Sequence, residues 1–289
     1  MNHILKRTLV GVGVGAFWAV VLRYLPAGAL FAILLVCSSL CQWEFYQLAE
    51  RGGLASSRRI GVMLGLLWLT ALFATLPGDV GSRWEILALA GGGFLLLAQL
   101  LFDTRVERHL ETASTTWLGF FYVPFLLGFY IRLAQWGATE PFLLSRGGIF
   151  LAFYASLVVK FTDAGAYATG MAFGRHKMFP RISPAKSWEG LVGGLAIGVL
   201  FSVGTILVAR SWPVVPVTPL THLTLPAAAG LGLLLGVLGV LGDLFESMFK
   251  RSVQAKDSGG VMPGLGGLLD IFDSLLFAPA MLYLLLPLL

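Results

Sequence analysis

GLLLGVLGVLGDLFESMFKRSVQAKDSGG, residues 232–260, passes from hydrocarbon to charge without a break. Its first eleven residues are glycine, leucine and valine only. Residues 250–260 then place four charged side chains in eleven positions. The apolar part extends back to about residue 225, which makes a run of some twenty residues, enough to cross a ~30 Å hydrocarbon core as a helix. Similar runs recur along the chain. Of its 289 residues 57% are hydrophobic and 12% charged, and the mean hydropathy is +0.84. A soluble domain carries about a quarter charged residues. The expected fold is therefore all-α and polytopic in a membrane. A transmembrane β-barrel needs alternating strands of about ten residues, whereas these runs are continuous.

Nine spans are expected, at about residues 8–25, 27–48, 60–77, 85–102, 114–133, 147–170, 190–210, 225–245 and 270–288. Lys6 and Arg7 before the first run, with Ala27-Gly28-Ala29 after it, also resemble a signal peptide. A retained first helix is the simpler reading. Basic residues set the orientation. With nine spans, fourteen of the twenty lysines and arginines fall on the N-terminal side and five on the other, with Lys160 inside the sixth span. That bias puts the N-terminus in the cytoplasm of a multi-pass protein of the cell (inner) membrane. The net charge of +5 needs no nucleic acid, because cytoplasmic loops facing anionic headgroups account for it. Cys37 and Cys41, four apart in one apolar run, read as packing residues.

The chain divides by chemistry. Residues 1–145 read as a transmembrane scaffold: Glu44 lies near a span end where it can snorkel, and Trp43, Trp136, Tyr46 and Tyr122 read as interfacial aromatics. Pro77-Gly78-Asp79 is a turn. No convincing internal repeat is visible, which weakens a transporter built on inverted halves. Residues 146–289 read as the catalytic region. Asp163, Glu189, Asp243, Glu246, Asp257, Asp270 and Asp273 lie there, several at or inside span ends. Acids in such places usually face an aqueous or functional interior.

Asp243, Ser247 and Lys250 are spaced i, i+4, i+7 in a helical stretch that Asp243 opens, so they share one face. Asp270 and Asp273, at i, i+3, share another at the start of the last span. They suit a helix N-terminus, yet two carboxylates one turn apart repel unless a cation lies between them. Mg²⁺ is the natural candidate, since it takes oxygen ligands and completes its shell with water and substrate phosphates. Between the two groups, Pro263, Gly264, Gly266 and Gly267 suit a tight loop whose N–H groups approach an anion. Lys250, Arg251 and Lys256 flank that loop, so the charge cluster reads as a polyphosphate site at the cytoplasmic surface. A second polar stretch on the same side, residues 163–190, adds Arg175, His176, Lys177, Arg181 and Lys186. Its segment Ser183-Pro184-Ala185-Lys186-Ser187-Trp188-Glu189-Gly190 reads as a loop entering a helix, with His176 as a solvated loop residue.

These residues resemble a known family, phosphatidate cytidylyltransferase or CDP-diacylglycerol synthase. Its signature is Ser-x-x-Lys-Arg, four residues, Lys-Asp-x-Gly, then Pro-Gly-His-Gly-Gly-x-x-Asp-Arg-x-Asp. Ser247, Lys250, Arg251, Lys256, Asp257, Gly259, Pro263, Gly264, Gly266, Gly267, Asp270 and Asp273 match in register. The resemblance is strong over about residues 150–280 and rests on hydropathy before that. Leu265 stands for the usual histidine and Ile271 for the usual arginine. The resemblance implies transfer of CMP from CTP to phosphatidic acid, giving CDP-diacylglycerol and pyrophosphate. It implies that Asp243, Asp270 and Asp273 hold Mg²⁺, with a second, monovalent cation left open. Lys250, Arg251 and Lys256 would meet pyrophosphate or phosphatidate. Asp257 would orient a lysine or reach the metal through water, and Asp163, Ser183 and Lys186 would line the substrate cavity. Rival readings are a CTP-dependent enzyme of polyprenol or archaeal-type lipids, an ion-coupled transporter, and an inactive homologue. Gly193, Gly194 and Gly198 permit close helix packing within or between chains, so a homodimer is left open.

Overall fold

The computed structural model describes residues 26–76, 82–103, 106–211, 218–255, 257–259 and 267–289. Eight long helices carry the fold: α1 (Ala27–Arg51), α2 (Arg58–Phe73), α3 (Arg83–Phe102), α4 (His109–Ala134), α5 (Arg146–Phe173), α6 (Trp188–Ser211), α7 (Leu225–Ser252) and α8 (Leu269–Leu288). Seven are long and apolar enough to cross a membrane; α2, with 16 residues, is the exception. They overlap the second to ninth expected spans within a few residues at most ends, and the first lies outside the described residues. The protein is an all-α, multi-pass membrane protein.

Local chemistry sets several boundaries. The Ser145 hydroxyl accepts the Gly148 N–H at 2.8 Å to cap α5, and Thr224 caps α7 ahead of Pro226. Pro124 removes one N–H inside α4 and crowds the preceding turn, and the helix widens there into a π-turn over Phe121–Phe125. α2 stops at Phe73, short of the expected residue 77. The Phe73 carbonyl accepts from Gln135 Nε2 and the Phe142 N–H, each at 3.0 Å. Those partners replace the next turn of helix. Arg132 fills the same corner, donating to the Thr75 carbonyl at 3.0 Å and pairing with the buried Glu85.

Three apolar clusters form the interior. One joins α5, α6, α7 and α8 around Tyr154, Val158, Ile206 and Leu235. A second joins α1, α4 and α8 around Phe45, Tyr46, Tyr122 and Leu269. The third holds α2 on α4 through Trp68, Leu72 and Phe120. Tyr46 and Tyr122 are therefore core residues and not interfacial ones. The Tyr46 hydroxyl donates to the Thr116 carbonyl at 2.8 Å, which lets a polar tip sit in apolar packing. α5 and α6 pack backbone to backbone, with Gly194 lying against the Thr162 carbonyl and the Ala166 amide, so this small residue serves packing within the chain.

The connections alternate ends, as the charge bias expects. Arg108 donates to the Gly53 carbonyl, and Glu111 accepts the Ala55 N–H at 2.9 Å. Gly52 abuts Val253, and Arg251 Nε donates to the Ile182 carbonyl at 3.2 Å. The loops α1–α2, α3–α4, α5–α6 and α7–α8 thus gather at one end. The α5–α6 connection is a two-stranded antiparallel hairpin, β1 (Lys177–Phe179) with β2 (Ser183–Ser187), where residues 183–190 read as a loop entering a helix. Glu189 fastens its base by accepting the backbone N–H groups of Arg175 and His176 at 3.1 and 3.2 Å.

Candidate active site

At this end α5, α7 and α8 bring their charged side chains together. α7 runs unbroken to Ser252, so Asp243 lies within a continuous helix and does not open a new one. Asp243, Ser247 and Lys250 still share a face, and the Ser247 hydroxyl donates to Asp243 Oδ1 at 3.3 Å. The first turns of α8 approach α7 at Gly242, where a Cβ would strike the Asp273 carbonyl and come within 3.2 Å of Ser274 Cα. Only a glycine lets the two backbones meet this closely. Gly242→Val is therefore expected to separate Asp243 from Asp273 and lower turnover at least about tenfold, with a reduced melting temperature in detergent. Wild-type values for both would show that the contact is dispensable.

The close approach has a chemical result. Asp243, Glu246 and Asp273 each offer one oxygen, and these atoms lie within 4.8 Å of one another. Glu246 is fully buried and Asp273 only 6% exposed. Glu246 pairs by charge with Lys250, yet neither of its oxygens accepts an aligned hydrogen bond. Buried carboxylates in such proximity repel each other unless a cation lies among them. Three converging carboxylates, two of them buried and one with both oxygens lacking a hydrogen bond, fit a hard divalent ion.

Asp270 is not in that set. Lys250 Nζ meets its Oδ1 at 2.7 Å, and its Oδ2 accepts the N–H groups of Gly267 and Ser258 at 2.7 and 3.2 Å. It organises the chain before α8. Lys186, at the end of the hairpin, reaches Asp243 Oδ2 at 2.7 Å and the Val240 carbonyl at 3.3 Å. Asp163, on α5, faces Lys160 at 3.9 Å. Arg251 lies against the hairpin at Ile182, next to Ser183. Asp257 is exposed. Lys256, Gly264 and Gly266, with Pro263 and Leu265, lie outside the described residues. Ile271, where the signature has arginine, packs against the α1–α4–α8 cluster, and its carbonyl accepts from Lys160.

Three side chains that sequence reasoning did not place here lie in or beside the cluster. Glu246 was visible only as one of several acids. Lys160 Nζ donates to the Ile271 carbonyl at 2.8 Å and to Ser274 Oγ at 3.0 Å, bracing the turn that carries Asp273. Glu44, from the half read as scaffold, does not snorkel. It is 2% exposed and accepts the Leu269 N–H at 2.8 Å. A charged residue in an apolar run was the available signal.

Carboxylates able to hold a cation, ringed by lysines at one end of a membrane bundle, suit the handling of phosphate-bearing substrates. Fold and site describe a multi-pass membrane protein with a carboxylate cluster able to hold a cation. The comparison with known sequences is more specific: the model of the cytidylyltransferase family matches residues 5–289, and the chain belongs to that family. It is similar along its whole length to the phosphatidate cytidylyltransferase of Bacillus subtilis (strain 168), at 32% identity covering 100% of this chain and 99% of the relative. The enzyme of the same name from Staphylococcus haemolyticus (strain JCSC1435) is 30% identical over 78% of each chain. That of Haemophilus influenzae (strain ATCC 51907 / DSM 11121 / KW20 / Rd) is 37% identical over 53% of this chain and 50% of its own.

Proposed function

We propose that this chain transfers the CMP group of CTP to phosphatidic acid, giving CDP-diacylglycerol and pyrophosphate. The convergence of Asp243, Glu246 and Asp273 beside Lys250 carries the reading. These three carboxylates would hold Mg²⁺, with Asp270 shaping the adjacent backbone. When bound, such an ion neutralises phosphate charge. The bias of basic residues supports a site at the cytoplasmic face of the cell membrane, where CTP is dissolved and the phosphate of a lipid lies in reach.

The nucleophile is a phosphate oxygen of phosphatidic acid. It is already anionic, so no strong general base is needed. Its bond to the α-phosphorus forms as the bond from that phosphorus to the bridging oxygen of the β-phosphate breaks. Pyrophosphate leaves with the electron pair. The work of the protein is positioning and charge neutralisation. Lys186 and Lys250 rest on Asp243, Glu246 and Asp270, so substrate phosphates exchange one set of anions for another around cations already in place. Lys160 is braced on backbone and hydroxyl and acts by holding Asp273 in register. Arg251, on the hairpin side of α7, would meet the outer phosphates.

The test is pyrophosphate release by purified protein in detergent with CTP, Mg²⁺ and phosphatidic acid, omitting each in turn. Release is expected to need all three and to stop when the metal is chelated. Release that persists without phosphatidic acid, or none at all from folded protein, would reject the reaction.

A further inference from the structure

We infer that Glu44, in the N-terminal half, is a positioning residue for the site: its carboxylate pins Ser258 and Leu269 together and so sets the first turns of α8. The inference rests on the transferase reading above. The side chain leaves α1 with its carboxylate buried, and Oε2 accepts the Leu269 N–H at 2.8 Å and approaches Ser258 Oγ at 3.5 Å. Ser258 is itself fully buried. Leu269 is followed directly by Asp270, and Asp273 comes one turn later, so the Glu44 oxygen fixes the backbone amide that starts the acid-bearing turn. The accepted N–H is one of the orphan donors that every helix start presents. A carboxylate there also meets the positive end of the helix.

Packing supports the same role. A Cβ on Gly259 would lie 2.5 Å from Glu44 Oε1, 2.8 Å from Cδ and 3.1 Å from Cγ. One on Gly267 would lie 2.6 Å from Oε2. The chain on both sides closes on the carboxylate, and at Gly259 the three nearest atoms all belong to Glu44. Glu44 Oε1 has no hydrogen-bond partner among the described residues. A buried, half-satisfied carboxylate is a poor choice for stability alone, which separates this arrangement from ordinary core packing. Among the described residues the Glu44 carboxylate bonds to Leu269 and Ser258 and not to the three-carboxylate set or its lysines; it acts through α8.

Amide hydrogen exchange and kinetics on the full chain test this together. Glu44→Ala is expected to speed exchange in residues 267–273 about tenfold, with α5 unchanged, and to lower kcat/KM for CTP about tenfold or more. Glu44→Gln, whose amide oxygen can still accept the Leu269 N–H, is expected to stay within about threefold of wild type. Gly259→Ala is expected to impair turnover alone and to add nothing in the Glu44→Ala background. The inference falls if exchange in residues 267–273 is unaltered in Glu44→Ala. It falls equally if that variant loses thermal stability while the folded fraction keeps wild-type kcat and KM, or if the two substitutions are simply additive. Should the unaltered protein release no pyrophosphate, the transferase reading fails, and the exchange comparison still decides the tether.

Discussion

Asp273→Asn is expected to fold and to release pyrophosphate at least about a thousandfold more slowly than the unaltered protein. Losing a carboxylate that holds a divalent ion removes several kcal/mol of charge stabilisation, and about 4 kcal/mol is a thousandfold. Asparagine keeps the shape, so the Ser274 N–H retains an acceptor and the turn at Asp273–Leu275 is preserved. The charge alone is lost from the group formed with Asp243 and Glu246. The rate at saturating CTP and phosphatidic acid, followed across a range of Mg²⁺, checks it. A rate within tenfold of wild type, with unchanged metal dependence, would remove Asp273 from the ligand set. Asp270→Asn, which alters a carboxylate outside that set, provides the contrast.

Lys250→Met is expected to damage stability and catalysis together. Lys250 meets both Glu246 and Asp270, and Glu246 has no exposed surface. Removing the ammonium leaves a buried carboxylate without its partner, which costs about 3–5 kcal/mol. Thermal unfolding in detergent reads that loss. The double variant Lys250→Met, Glu246→Gln separates the two effects: removing both charges is expected to recover much of the stability and none of the turnover. Recovery of turnover would show that the pair is structural only.

Much of this architecture could be read in the sequence because a bilayer dictates run length. The span expected at residues 147–170 is α5, Arg146–Phe173, and that at 270–288 is α8. Lys186 and Asp243 were both named in advance, one from each polar stretch, and the structure joins them. What stayed hidden depends on partners far away in the chain. Glu44 near a span end reads as a side chain reaching for water until α8 is seen to cover it. Lys160 was legible only as a lysine inside the sixth span, and its acceptors belong to residues 271 and 274. The grouping of Glu246 with Asp243 and Asp273 needs the approach of α8 at Gly242, which no periodicity reports. The hairpin was missed because its strands are only three and five residues long.

The brevity of α2 bears on the membrane itself. Sixteen residues make a cylinder about 24 Å long, against a hydrocarbon layer of about 30 Å. Met63, Leu66 and Leu67 are exposed along it and form an outward apolar wall. A hydrophobic stretch shorter than the hydrocarbon layer is accommodated by bilayer thinning, snorkelling of flanking residues or oligomerisation. A lower headgroup plane is the expected accommodation on that flank, where Arg58 and Arg59 begin the helix. For an enzyme that works on the phosphate of a lipid, a helix that ends one turn early would favour a thinner bilayer beside it.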